Sequence, residues 1–288
     1  MVIILFGYGL IFGSFINALV WRLHEQKKRR PQTTRLQPKK ARQKPQQPAA
    51  GSQQLSILHG RSMCPNCRHT LAAKDLVPVL SWLSLGGRCR YCRKPIAAQY
   101  PIVELITGLL FVVFYLGWSF SLSGLHLVWF LYGLVYLVFF VALAVYDFKW
   151  FLLPDKLVFP LIGIAASQVL LTSLWQQSLS ALWLPIAGAC LYFGLFWGLF
   201  QVSGGKWIGG GDVKLAFALG LIVGSPLKAM LALFIASLLG TLVSLPQIAW
   251  GKQGVKQHIP FGPYLLAGTF VVMVWGECLV RWYGGQFL

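Results

Sequence analysis

The sequence predicts an all-α polytopic membrane protein, with about eight transmembrane helices and one small module outside the bilayer. Three observations predict it: a deficit of charge, a series of apolar runs near 20 residues, and confinement of most cations to one stretch. Of the 288 residues, 57% are hydrophobic and 11% charged, against roughly 45–50% and about 25% in soluble domains. So little charge cannot cover a soluble surface, and lipid must solvate much of the chain. The 30 glycines and 12 tryptophans agree, since Gly is frequent in spanning helices and Trp collects at membrane interfaces.

Met1 to Leu23 is apolar apart from Asn17 and Arg22. Its charges follow the apolar run, and no small-residue cleavage site is present, so it reads as a first span and not as a signal peptide. Residues 24–60 are rich in Lys, Arg, Gln and Pro with few apolar anchors, a composition expected to be disordered. Residues 61–100 carry four cysteines, and residues 101–288 return to the membrane. Spans of the required length are expected near 101–119, 124–146, 157–175, 181–202, 212–224, 227–249 and 261–280. The run 212–224 reaches only about 20 Å as a helix, less than a full bilayer core.

The net charge of +18 is unevenly placed: 17 of the 25 cations fall between Arg22 and Lys94. With the N-terminus outside, segments 22–100, 147–156, 203–214 and 250–260 become cytoplasmic and leave only Lys228 and Arg281 on the other side. That asymmetry obeys the positive-inside rule. Attraction to anionic lipids accounts for the basicity. No DNA-reading motif accompanies it, so no nucleic-acid partner is expected.

Cys64-Pro65-Asn66-Cys67 and Cys89-Arg90-Tyr91-Cys92 form two C-x-x-C knuckles able to close four thiolates around one tetrahedral zinc. Segment 61–100 is therefore expected to be a small cytoplasmic zinc-binding module. Redox dithiols are the alternative, though a reducing cytoplasm disfavours disulfides. Cys64, Cys67, Cys89 and Cys92 would fill all four positions, making the zinc structural. His69 is spare, and Cys190 and Cys278 lie in apolar runs as small core residues.

Only seven carboxylates occur: Glu25, Asp75, Glu104, Asp147, Asp155, Asp212 and Glu277. An acid in or at the edge of a span is costly and therefore a functional candidate. Asp147 closes the apolar run 128–146, and Asp212 follows Gly209-Gly210-Gly211 and opens another. Glycines there permit a tight turn and a close approach. Two aspartates brought together can share one proton, one activating water while the other polarises a carbonyl. Asp212 also suits a helix N-cap, and Asp155 after Leu153-Pro154 suits a cap while remaining a possible third acid. Lys149 and Lys214 each follow an aspartate by two positions and read as headgroup anchors. Glu104 suits a structural or a functional role equally, and 259–263 reads as a stiff structural lead into the last span.

In order along the chain, five stretches resemble the bacterial type IV prepilin leader peptidases, bifunctional peptidase and N-methyltransferase enzymes. They are Gly13-Ser14-Phe15-Ile16-Asn17 with Arg22-Leu23; the two knuckles through Tyr100-Pro101-Ile102-Val103-Glu104; Asp147 through Leu153-Pro154-Asp155; Gly209-Gly210-Gly211-Asp212-Val213-Lys214; and Ile259 to Tyr264. The glycine-aspartate element is also similar to that of the wider GxGD group of intramembrane aspartyl proteases. The resemblance implies that Asp147 and Asp212 are catalytic, with Gly209, Gly211 and Lys214 in the active-site loop and 101–288 as the peptidase domain. It implies prepilin or pseudopilin substrates, cleaved behind a short basic leader at the cytoplasmic face of the bacterial inner membrane. It also implies methylation of the new N-terminal residue by S-adenosylmethionine, whose pocket it does not place. His24 departs from the usual proline, and 24–60 is unusually basic. Two rival readings are a proton-coupled transporter using the aspartates as a relay and a non-catalytic assembly factor.

Overall fold

Each expected apolar run becomes one helix in a computed structural model, which describes residues 1–29, 62–249 and 260–287. Among these residues the helices are α1 (Val2–Arg29), α2 (Leu80–Ser84), α3 (Gln99–Leu116), α4 (Gly124–Trp150), α5 (Asp155–Gln176), α6 (Leu179–Ser203), α7 (Gly210–Val223), α8 (Pro226–Ala249) and α9 (Gly262–Phe287). Seven are long and apolar enough to cross a membrane. The eighth membrane helix is α7, whose 14 residues span about 21 Å. It is short, as expected, because Gly224 closes it in the left-handed conformation at φ +80°, a shape glycine adopts without steric cost.

The bundle packs through small residues, as helices in lipid must. A Cβ on Gly13 of α1 would lie 2.5 Å from the Glu104 Cα of α3, and one on Gly220 of α7 would lie 2.5 Å from the Ala189 Cα of α6. α7 is the most enclosed element: Leu215, Ala216, Ala218 and Leu219 are fully buried. Between α4 and α5, Trp129 Nε1 donates to Thr172 Oγ1 at 2.9 Å, and Tyr136 Oη donates to Gln168 Oε1. Large apolar side chains such as Ile3, Leu116, Trp183 and Phe234 face outward, where lipid rather than water is their solvent. This is a multi-pass membrane protein.

Two boundaries differ from the sequence expectation. α1 continues to Arg29, so residues 24–29 are helical and not disordered. The His24 ring stacks on Trp150 of α4 at 3.9 Å, and Gln26 Oε1 accepts from Lys156 Nζ at 2.8 Å, which holds the basic end of the helix in place. The rest of the expected disordered segment lies outside the described residues. α4 likewise runs past Tyr146 to Trp150, where Phe151 turns left-handed and returns its N–H to the Asp147 carbonyl at 2.8 Å.

The contacts sort the bundle into two ends. The end of α1, the cysteine module, the end of α4 and the starts of α5, α7 and α9 meet at one end. At the other, Lys228 Nζ of α8 pairs with Glu277 Oε1 of α9 at 2.5 Å.

Candidate active site and cysteine cluster

At the first end, three helix termini converge. Asp147 sits in the last turn of α4 and is 5% exposed. Asp212 is the third residue of α7. Its backbone N–H donates to the Gly209 carbonyl at 3.0 Å, while its carboxylate accepts the Gly209 N–H. Gly209 is the N-cap of α7, and Asp212 lies in its first turn. Asp155 is not a cap either: Pro154 holds that position and Asp155 begins α5.

The third terminus is the start of α9. The Gly262 N–H donates to the Asp147 carboxylate. A Cβ placed on Gly262 would stand 2.6 Å from Asp147 Oδ2 and 3.6 Å from Asp212 Oδ1. Those two oxygens are thus no more than about 6 Å apart, within the range where like carboxylates influence one another's ionisation. Gly262 sits in the 259–263 stretch that sequence reasoning assigned to structure alone. Its place against both acids is the functional residue that reading missed, and the flanking Phe261 and Pro263 were the available signal. Ile259 lies outside the described residues. Gly211 shows a second close approach, since a Cβ there would lie 2.9 Å from Leu153 Cβ, pinning the start of α7 against the α4–α5 connection.

Lys214 Nζ pairs with Asp155 Oδ1 at 2.8 Å and lies 5.3 Å over the Phe159 ring. Both charged groups are solvent-accessible, and their pairing gives Asp155 a partner other than Asp147 and Asp212. Lys149 Nζ lies over the Trp150 ring at 5.4 Å. Gly209 and Gly210 are exposed, so solvent reaches the pair along this loop.

The cysteine module is two copies of one knuckle. In the first, the Cys64 N–H bonds to His69 O and the Arg68 N–H to Cys64 O; in the second, Cys89 N–H bonds to Lys94 O and Arg93 N–H to Cys89 O. Arg68 and Arg93 occupy matching left-handed positions, φ 57° and 58°. The four sulphurs lie within 4.8 Å of one another, and Cys64 and Cys92 Sγ are 3.9 Å apart. Four ligands at the Zn–S bond length sit about 3.8 Å apart in a tetrahedron, so this donor set fits a tetrahedral thiolate metal. Burial pushes the Cys89 thiol up, but the N–H groups of Cys92 and Tyr91 and the neighbouring Cys64 and Cys92 thiols bring it down to about 7. The His69 ring packs edge-on to Tyr91 at 3.7 Å.

Glu104 joins the module to the bundle. It is buried, and its Oε2 accepts the Val79 N–H at 2.7 Å while the Ser14 hydroxyl bonds to the same carboxylate. Val79, at φ +60° and ψ −51°, is a strained position for a β-branched residue.

Two family descriptions match the chain: the Bacterial Peptidase A24 N-terminal domain over residues 8–118 and the Type IV leader peptidase family over residues 134–245. A prepilin leader peptidase/N-methyltransferase of Aeromonas hydrophila is 33% identical over 292 residues, covering 99% of this chain and 94% of that protein. Proteins of the same description from Burkholderia pseudomallei (strain K96243) and Bacillus subtilis (strain 168) are 34% and 30% identical. They cover 96% and 80% of this chain, and 86% and 87% of their own lengths. No solved structure matches significantly. With this identity sustained over nearly its whole length, the chain belongs to the prepilin leader peptidase/N-methyltransferase family.

Proposed function

We propose that the protein cleaves the leader from type IV prepilins or pseudopilins by aspartyl proteolysis at the cytoplasmic membrane face, and then methylates the new N-terminus. The observation that carries this reading is the approach of Asp147 and Asp212 to one glycine, Gly262. In the reaction, the ionised aspartate takes a proton from water as that water attacks the scissile carbonyl. The protonated aspartate donates its proton to the carbonyl oxygen; as the C–N bond breaks, the aspartate that took the water's proton passes it to the leaving amine, and the collapsing diol returns a proton to its partner. The Gly262 and Gly209 N–H groups fix the two carboxylates, and the ends of α7 and α9 direct their partial positive charge at the pair.

Orientation follows from charge. The end holding the acids also carries the cysteine module and Lys149, Lys156, Lys206 and Lys214, so it is the cytoplasmic end. The resulting membrane is the bacterial inner membrane, and its anionic lipids are partners of the basic surface. Cys64, Cys67, Cys89 and Cys92 hold a structural zinc that ties the two knuckles together. S-adenosylmethionine, when bound, supplies an electrophilic methyl group to the freed amine. Residues 101–288 form the peptidase domain, with Gly209 and Gly211 shaping its loop. Lys214 anchors that loop through Asp155.

The test is mass spectrometry of a prepilin incubated with membranes containing the protein. The expected product lacks the basic leader, and its N-terminus is methylated only when the donor is added. An uncut prepilin in these membranes would contradict the reading.

A further inference from the structure

The shortness of α7 leaves space at the end of the bundle away from the acids. α5 and α7 both start at the acid end, but α7 stops at Val223 after 14 residues while α5 runs for 22. At 1.5 Å per residue the difference is about 12 Å. α4 and α9 are longer still, at 27 and 26 residues. The volume beyond the last turn of α7 is therefore walled by its neighbours and not filled by α7 itself. It forms a cavity of about 1020 Å³.

The walls change character with depth. Leu221 and Val223 at the end of α7, with Val272 and Val274 of α9, make the inner part apolar. Further along α9 come Glu277, Arg281 and Trp282, the last two exposed, and a tryptophan there suits the membrane interface. Water filling the cavity would wet the apolar part, and a hydrocarbon filling it would bury the charges, so each alone is disfavoured. An amphiphile satisfies both parts. Charge narrows the choice further. Lys228, Glu277 and Arg281 are the charged residues lining the cavity, which leaves one positive charge. Lys228 is engaged with Glu277 at 2.5 Å, and Arg281 stands one turn beyond it. These are the same two cations that the charge count left off the cytoplasmic side, and both stand in one cavity.

Several polar groups on the walls are satisfied within the protein: Trp129 donates to Thr172, and Tyr136 donates to Gln168. Trp118 is different. Its Nε1 is buried with no acceptor, while its ring is held among Phe114, Phe120 and Phe130. A buried donor without a partner is uncommon and calls for an acceptor. A phosphate oxygen supplies one, and a guanidinium fork matches the same group. We propose that this cavity binds one anionic phospholipid from the leaflet on its own side, with the phosphodiester at Arg281 and Trp118 and an acyl chain against the end of α7. That leaflet is the outer one on the orientation proposed above, and the site depends on that reading for nothing else. The lipid completes the bundle where α7 stops short, so its binding stabilises the folded protein.

The test uses purified full-length protein stripped of lipid in detergent. It is titrated with phosphatidylglycerol and with phosphatidylcholine of the same acyl chains, at raised salt so that binding to the exposed basic surface is screened. Bound lipid is counted by native mass spectrometry, and a phosphatidylglycerol with a photoreactive acyl chain reports where it lies. The expected result is one tightly held phosphatidylglycerol, phosphatidylcholine weaker by about tenfold or more, and label on peptides carrying Leu221, Val223 or Val272. Arg281→Gln should lower phosphatidylglycerol affinity about tenfold, and Arg281→Lys should keep most of it. Trp118→Phe keeps a ring, removes the N–H and should weaken binding severalfold, with thermal unfolding in the absence of lipid as the folding control for each variant. Equal affinity for the two lipids overturns the proposal, as does unchanged affinity in both Arg281→Gln and Trp118→Phe. Label confined to peptides carrying Lys149, Lys156 or Lys214 overturns it too. If glycerol phosphate displaces the label as well as intact lipid does, the site reads a soluble phosphate and the lipid assignment falls. No readout here involves cleavage, so failure of this site and failure of the aspartate reading are told apart.

Discussion

Replacing Gly262 with alanine tests the geometry of the acid pair without touching a titrating group. The added Cβ would sit 2.6 Å from Asp147 Oδ2, so the carboxylate must retreat by about 0.8 Å to reach ordinary van der Waals distance. A misplacement near 1 Å in a catalytic constellation costs on the order of 10²-fold, so cleavage should fall between about tenfold and 100-fold. Stability should change little. Gly262 begins a helix without a positive φ, and alanine is the better helix former by about 1 kcal/mol, which offsets much of the local crowding. The assay is the rate of prepilin cleavage in detergent at saturating substrate, with Tm measured on the same sample. A variant with parental kcat would refute the reasoning, because the two carboxylates could not then depend on their position against this glycine.

Other consequences follow from the same geometry. Gly211→Ala places a Cβ 2.9 Å from Leu153 Cβ and should cost about 1–3 kcal/mol through overpacking, read as a lower Tm with slower cleavage. Asp155→Asn removes a pair whose side chains are 42% and 56% exposed; such pairs contribute about 0–1 kcal/mol, and cleavage should stay within the same order of magnitude. Metal analysis should find one zinc per chain, lost in Cys64→Ser, with the protein then more open to proteolysis within 62–98. Acid sensitivity of the module should depend on Asp75. Burial pushes its carboxyl up, but bonds from Arg90, the Ala72 N–H and Tyr91 outweigh this and hold it below 3.8. Its contribution is therefore complete above that value and lost as pH falls through the depressed pKa. Asp75→Asn should flatten that acid limb when unfolding of the module is followed against pH.

The helices were legible because lipid imposes a local rule: each span must be apolar over its own length. The shortness of α7 could be read from Gly224-Ser225-Pro226, which sit in sequence where the helix must stop. The cysteine knuckles were legible for a similar reason, since each pair is built within a few residues. What the sequence withheld was tertiary. Charge density argued for an end to α1 near Leu23, but the stack of His24 on Trp150 depends on a helix far along the chain and carries α1 to Arg29. Asp155 stood as a third acid until its pairing with Lys214 was visible. Gly262 looked structural because its two neighbours, Asp147 and Asp212, come from helices that no local pattern connects to it.

The most direct test of the central claim is cleavage of a prepilin by Asp147→Asn and Asp212→Asn, each alone, in protein that unfolds at the parental temperature. Asparagine keeps the size of the side chain and removes its proton. The account predicts that each substitution lowers the rate by about 10³-fold or more. Cleavage near the parental rate by either variant would contradict it.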